Sequence, residues 1–174
     1  MAGMRGRQTV RDMVLSMAVI GAVVAVIYMF IPHDDKADPV KAVDYRVELL
    51  TARRAAPYPV AAPEGLAKEW KPTSVSYERA GADAWHLGFL DPDGEYIAVE
   101  QSTAPAGKYI AKVSQQARET GKTQQVGGVA WRLWEGPKYD ALVREDKGST
   151  TVITGTASPE RLAELAAALE TKKS

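Results

Sequence analysis

Nineteen consecutive residues, Met13 to Ile31 (MVLSMAVIGAVVAVIYMFI), contain no charge, proline, asparagine or glutamine. At 1.5 Å per residue a helix of this length reaches roughly 28 Å, close to the hydrocarbon thickness of a bilayer. The core helix of a soluble protein normally keeps a polar face, whereas here only Ser16 interrupts the apolar circumference. The run is expected to cross a membrane, so the first partner assigned by the sequence is the lipid bilayer, through residues 13–31.

The flanks give the expected orientation. Arg5, Arg7 and Arg11 precede the run with Asp12 as their one acidic neighbour, and Pro32 ends it ahead of His33, Asp34 and Asp35. By the positive-inside rule, residues 1–12 form a basic cytoplasmic N-terminus and the chain after the helix is extracytoplasmic. A cleaved signal peptide shares that orientation, but its apolar stretch is usually about 7 to 15 residues and ends at a small-x-small site. Tyr28-Met29-Phe30-Ile31-Pro32 offers no such site, so an uncleaved anchor is expected.

Removing Arg5, Arg7, Arg11 and Asp12 from the 22 basic and 22 acidic residues leaves 19 and 21 beyond the anchor. A near-neutral domain with scattered Lys and Arg lacks the basic stripe that displaces counterions from phosphates, so no nucleic-acid partner is expected. The absence of cysteine excludes a disulfide framework, a thiolate nucleophile and cysteine-based metal sites.

Residues 32–43, polar and containing Pro39, read as a tether, and residues 44–174 as the domain. Val43, Tyr45, Val47 and Leu49 alternate with polar residues, the period of a half-buried strand or of a short helix leaving the membrane. Pro57, Pro59, Pro63 and Gly65 then break regular structure, and Ala56 to Trp70 reads as an ordered loop or edge segment. Strands are expected at Ser74–Arg79, with Val75 and Tyr77 inward, at Trp85–Leu90 and at Tyr96–Gln101, the last two joined by the turn Asp91-Pro92-Asp93-Gly94. From Gly107 to Gly121 the period becomes helical, with Tyr109, Ile110, Val113 and Ala117 on one face. Val129–Trp134, Tyr139–Glu145 and Ser149–Thr154 follow as strands. Ser158-Pro159-Glu160 supplies an N-cap, a first-turn proline and a first-turn acid for a last helix whose stripe is Leu162, Leu165, Ala166 and Leu169, with Lys172 and Lys173 beyond it. The expected class is α+β: an N-terminal transmembrane helix, then an antiparallel β-sheet domain with two covering helices on one face. Ala84-Trp85-His86-Leu87 and Ala130-Trp131-Arg132-Leu133 hint at a repeat, one strand out of step.

Several of these landmarks occur together in one known family. The run Arg7-Gln8-Thr9-Val10-Arg11-Asp12-Met13 before the apolar helix, Pro63-Glu64-Gly65-Leu66 with Trp70, Trp85-His86-Leu87-Gly88, Glu100-Gln101-Ser102, Gly128 to Trp131 and Gly155-Thr156-Ala157-Ser158 resemble an actinobacterial family catalogued as domain of unknown function 4245. The resemblance spans nearly the whole chain. It implies a membrane-anchored protein of the actinobacterial envelope and carries over no activity, cofactor or catalytic residue.

Candidate chemistry is sparse. His86 is the one histidine of the domain, and on a strand with no assignable Asp, Ser or second His it reads as structural. His33-Asp34-Asp35 holds ligand-type side chains, but neighbours in a tether cannot converge on an ion without strain, and no metal or cofactor is expected. Glu64, Glu69, Glu78 and Glu100 are the carboxylates that a hydrolase of envelope polymers would draw on, and they read more simply as solvated surface. Ser102 and Ser158 lack a nucleophile elbow, and Gly127-Gly128 lacks the Lys-Ser/Thr of a phosphate loop.

The four tryptophans, Trp70, Trp85, Trp131 and Trp134, say more. Trp131 and Trp134, three apart on a strand, face opposite ways, so they do not share one core face by simple alternation. An exposed Trp134 beside Trp70 or Tyr58 would make a binding platform for a sugar, peptide or protein; alternatively the proline-rich segment covers these rings. The function expected from this is a membrane-anchored binding or scaffold module of the cell envelope that contacts an envelope protein or cell-wall partner. The alternative is an envelope-acting carboxylate-based hydrolase using Glu100 with His86 nearby.

Overall fold

The computed structural model describes residues 5–30 and 40–173, which divide into two units, one on either side of Pro39. Of the expected tether, residues 32–43, positions 32–39 with His33, Asp34 and Asp35 lie outside the described residues. The first unit is a helix, α1 (Arg5–Phe30), whose stretch Val10–Phe30 is long and apolar enough to cross a membrane and buries none of its residues against protein. The helix includes Arg5 to Asp12, so the basic flank is its first turns.

The second unit is an α+β domain containing α2 (Arg46–Ala55), β1 (Val60–Pro63), β2 (Lys71–Glu78), β3 (Ala84–Leu90), β4 (Tyr96–Ser102), α3 (Ala106–Val113), β5 (Arg118–Val126), β6 (Val129–Glu135), β7 (Asp140–Asp146), β8 (Ser149–Gly155), α4 (Pro159–Ala168) and β9 (Leu169–Lys172). Seven strands form one antiparallel sheet in the order β2-β3-β4-β8-β7-β6-β5, and β1 pairs with β9 in a separate ribbon.

Strand alternation assigns the faces. Leu87, Phe89, Ile97, Val99, Trp131, Leu142 and Ile153 form the main core with Leu162 and Leu165 of α4, Ala52 of α2 and the ribbon residues Val60 and Ala61. On the opposite face Tyr109 and Ile110 of α3 pack on Ala141, Val143 and Val152. The helices therefore cover both faces, a correction to the one-sided expectation, and α3 covers only part of its face.

Local chemistry explains the elements that were legible. Asp91 Oδ1 accepts from the backbone N–H of Asp93 (2.9 Å) and Glu95 (2.8 Å), and Gly94 takes φ +84°, which closes the β3–β4 turn. Ser158 Oγ accepts from the Arg161 N–H at 3.3 Å, and burying Leu162 and Leu165 contributes roughly 1.5 to 3 kcal/mol each.

Other segments depart from expectation. The strand alternative for Val43–Leu49 is replaced by α2, because Tyr45, Leu49 and Ala52 recur at i, i+4 and i+7 and pack on the core. The helix from Gly107 stops at Val113: Gln115 and Gln116 adopt φ +52° and +73°, which no helix continues, and Arg118–Val126 becomes strand β5. As an edge strand with largely exposed side chains, β5 needs no apolar alternation. Its presence puts Trp85 and Trp131 each on the second strand of its set, removing the offset in the apparent repeat. The expected loop at Ala56–Trp70 contains β1, and Leu169 to Lys172 leaves the last helix to pair with it.

The ribbon is held by side chains of the sheet. Gln101, 1% exposed, accepts the Ala61 N–H at 2.6 Å and donates to Thr151 Oγ1 at 3.0 Å, while Trp85 Nε1 donates to the Ala61 carbonyl at 2.9 Å. The two backbone groups that Ala61 turns toward the sheet are thereby satisfied without a backbone partner.

Candidate functional site

The rings expected to form a platform do not come together. Trp70 is 5% exposed, edge-on to Phe89 with its Nε1 donating to Glu164 Oε1 at 3.3 Å. Tyr58 is 2% exposed, and its hydroxyl donates to the carbonyls of Asp83 and Gln101. Trp134 lies on the other face of the sheet against the α3 cluster, half-buried, and Trp131 faces the main core. The expected platform of Trp70, Trp134 and Tyr58 is thus corrected: Trp70 and Tyr58 are buried in the main core together with β1, and strand alternation puts Trp134 on the opposite face.

The polar side chains converge instead on the α3 side of β2, β3 and β4. Because Trp85, Leu87 and Phe89 enter the core, His86 and Gly88 face the other way, and so do Ser74 and Ser76 on β2 and Glu100 on β4. The register sets Ser76, His86 and Glu100 directly across from one another, with Ser74 opposite Gly88.

His86 Nδ1 lies 2.6 Å from Glu100 Oε1, and His86 Nε2 lies 2.8 Å from Ser74 Oγ. A Cβ at position 88 would come within 2.4 Å of Ser74 Oγ, so the absent side chain is what gives that hydroxyl its place. Tyr109 on α3 directs its hydroxyl at Glu100 Oε2, at a long 3.4 Å. Together with Ser76, Glu78, Ala84, Lys112 and Val113, the groups His86, Glu100 and Tyr109 line a recess of about 210 Å³.

The electrostatics follow from partial burial, with the His86 and Glu100 side chains 25% and 14% exposed. Burial alone would lower the His86 pKa, but the hydrogen bond and negative charge of Glu100 outweigh it and hold the value above 6.5. Burial, and then the charge of Glu100, raises the Tyr109 phenol far above its usual range and pushes Tyr96 up to about 12. Both phenols stay neutral at physiological pH. In neutral His86 the Nδ1–H donates to the carboxylate and Nε2 accepts the Ser74 O–H; in the protonated ring both nitrogens donate.

Among the described residues no cluster of three or more His, Asp or Glu is placed to hold a metal ion. Of the carboxylates singled out from the sequence, Glu78 and Glu100 share the recess, while Glu64 pairs with Lys172 at 2.8 Å. Ser102 is fully buried and hydrogen-bonded to the Ala82 carbonyl, and Gly127-Gly128 at φ +57° and +80° is the β5–β6 hairpin turn. With Val75 and Tyr77 inward, alternation turns Ser74 and Ser76 to the other face of β2. What alternation lacks is the inter-strand register, so the partners of His86 were not assignable from the sequence.

A family model described as a protein of unknown function (DUF4245) matches residues 5–169, and the chain belongs to that family. No curated protein matches the chain.

Proposed function

We propose that this chain is a membrane-anchored, extracytoplasmic binding or scaffold module of the bacterial cell envelope, and that the recess beside His86 and Glu100 receives a polar group of an envelope component. The observation that carries this reading is the recess itself: partly buried ionisable groups on a sheet face that α3 only partly covers. Desolvating such groups costs free energy, and a site that keeps them must return it through pairing. His86 and Glu100 pair with each other, whereas Glu78 and Lys112 at the rim have no ion-pair partner among the described residues. Their opposite charges suit a ligand that offers hydrogen bonds of both senses. The outward orientation is supported by Arg5, Arg7 and Arg11 before the apolar helix.

A carboxylate-based envelope hydrolase is the second reading, favoured by Glu78 and Glu100 lining one recess. A two-carboxylate mechanism needs each acid available to the substrate. Glu100 has Oε1 engaged by His86 and Oε2 facing Tyr109, which favours binding.

Because the chain has no cysteine, Lys147→Cys in the exposed β7–β8 turn gives a single reporter. A membrane-impermeant maleimide should label it in intact bacteria. Labelling only after permeabilisation would place the domain in the cytoplasm and end the proposal. A photo-crosslinking residue at position 112 should then capture an envelope component that the same residue at 147 does not. Identical capture from both positions, or none, would remove the recess as the binding site.

A further inference from the structure

The recess shares a wall with an arrangement that binding alone does not require. Ser74, His86 and Glu100 sit on three adjacent strands, hydrogen-bonded in the order hydroxyl, imidazole, carboxylate at 2.8 and 2.6 Å. That order and spacing is how a serine nucleophile, its base and the group orienting that base are recognised on unrelated folds. Ser76 is the residue opposite His86, yet the imidazole reaches diagonally to Ser74, through space left open by Gly88. Glu100 holds the Nδ1 proton, which leaves the Nε2 lone pair directed at the hydroxyl. Ser74 is half-buried on β2, the edge strand, so a substrate can approach from outside the sheet.

We propose that Ser74 is a nucleophile toward O-acyl esters, with His86 as its general base and Glu100 as the positioning residue that fixes the imidazole. This rests on the recess as the site that receives the polar group, and assigns that group an acyl substituent. Ser74 borders that recess through His86, which lines it and holds the hydroxyl at 2.8 Å. Ser74 Oγ attacks the ester carbonyl carbon and His86 Nε2 takes its proton. The C–O bond to the alcohol then breaks, and that oxygen leaves with the proton returned from Nε2. Water, deprotonated by the same nitrogen, attacks the acyl-serine and releases the carboxylic acid and free Ser74. The charged and titratable groups facing the imidazole region are Glu100 and Tyr96 from β4, Glu78 from β2, and Tyr109 and Lys112 from α3.

The test uses the full chain in detergent micelles and a fluorophosphonate probe. With this probe the Ser74 Oγ–P bond forms, the P–F bond breaks, fluoride leaves and the serine proton passes to His86. Mass spectrometry should find the adduct on Ser74, and Ser74→Ala should abolish it. His86→Gln should slow the reaction on the order of 100-fold, the usual scale of general-base catalysis. Gly88→Ala, whose methyl displaces the hydroxyl, should slow it about tenfold or more while Ser74 remains present. In the unmodified chain the rate should rise with pH as His86 loses its proton, a readout that survives even if His86→Gln fails to fold. An adduct spread over several serines, absence of an adduct on Ser74, or a rate indifferent to pH and to Gly88→Ala overturns the proposal. Capture from position 112 without a Ser74 adduct leaves binding standing and removes the nucleophile; an adduct without capture does the opposite.

Discussion

The docking of the β1–β9 ribbon onto the sheet depends on one buried amide, which makes Gln101 the most informative position for stability. Ala61 is fully buried and its N–H reaches Gln101 Oε1 at 2.6 Å. Gln101→Leu keeps most of the volume and strands that donor, at a cost of roughly 1 to 3 kcal/mol for a buried unsatisfied group. Gln101→Ala strands it too and removes four heavy atoms, leaving a cavity of roughly 50 Å³; at about 24 cal/mol per Å³ this adds about 1 kcal/mol. The Nε2 bonds to Thr151 Oγ1 and the Pro59 carbonyl, at 3.0 and 3.4 Å, are lost in both variants. The expected losses are therefore about 2 kcal/mol for leucine and about 3 kcal/mol for alanine. Urea denaturation of the full chain in micelles, followed by tryptophan fluorescence, measures this cleanly because all four tryptophans lie in the domain and none in α1. A Gln101→Leu variant within about 0.5 kcal/mol of the parent would show that the Ala61 amide finds another partner and that Gln101 does not hold the ribbon.

Three further outcomes are expected. Leu165→Ala, at a fully buried position of α4, should lower stability by roughly 2 to 5 kcal/mol and Ser158→Ala by about 1 kcal/mol in the same titration; a neutral Leu165→Ala would mean that α4 is not packed on the sheet. Because Glu100 raises the His86 pKa above its unfolded value of about 6.5, the stability it contributes is fully present below that pH and is lost as pH rises through the folded pKa. His86→Gln should flatten that part of the stability profile, and an unchanged slope would show that the coupling to Glu100 is absent in solution. Gly155→Ala places a Cβ 2.0 Å from the Tyr96 carbonyl oxygen and 2.8 Å from Ile97 Cα, both backbone atoms, so it should cost at least about 1 to 3 kcal/mol and lower the thermal midpoint; an unchanged midpoint would mean that β4 and β8 separate more freely than their pairing indicates.

Signals carried within a few residues were readable directly. The apolar run dictates a helix long enough to span a membrane, the Asp91–Gly94 turn and the Ser158 cap satisfy their own backbone groups, and β2, β3, β4 and β6 each set two or more apolar residues inward at a period of two. Even the opposite facing of Trp131 and Trp134 followed from spacing alone. The elements that escaped depend on distant residues. Strand β5 is polar because an edge strand need bury little, and β1 and β9 are strands only because each supplies the other's partner more than 100 residues away in the chain. The candidate site belongs to the same class. Ser74 alternates with the inward Val75 on its strand, but turn lengths and a bulge after Pro72 fix which of Ser74, His86 and Glu100 meet, and a one-residue change of register would send each to the other face. Composition and period determined by themselves that there would be a helix long and apolar enough to span a membrane and a half-buried sheet; only tertiary pairing decided that a hydroxyl, an imidazole and a carboxylate stand in line upon that sheet.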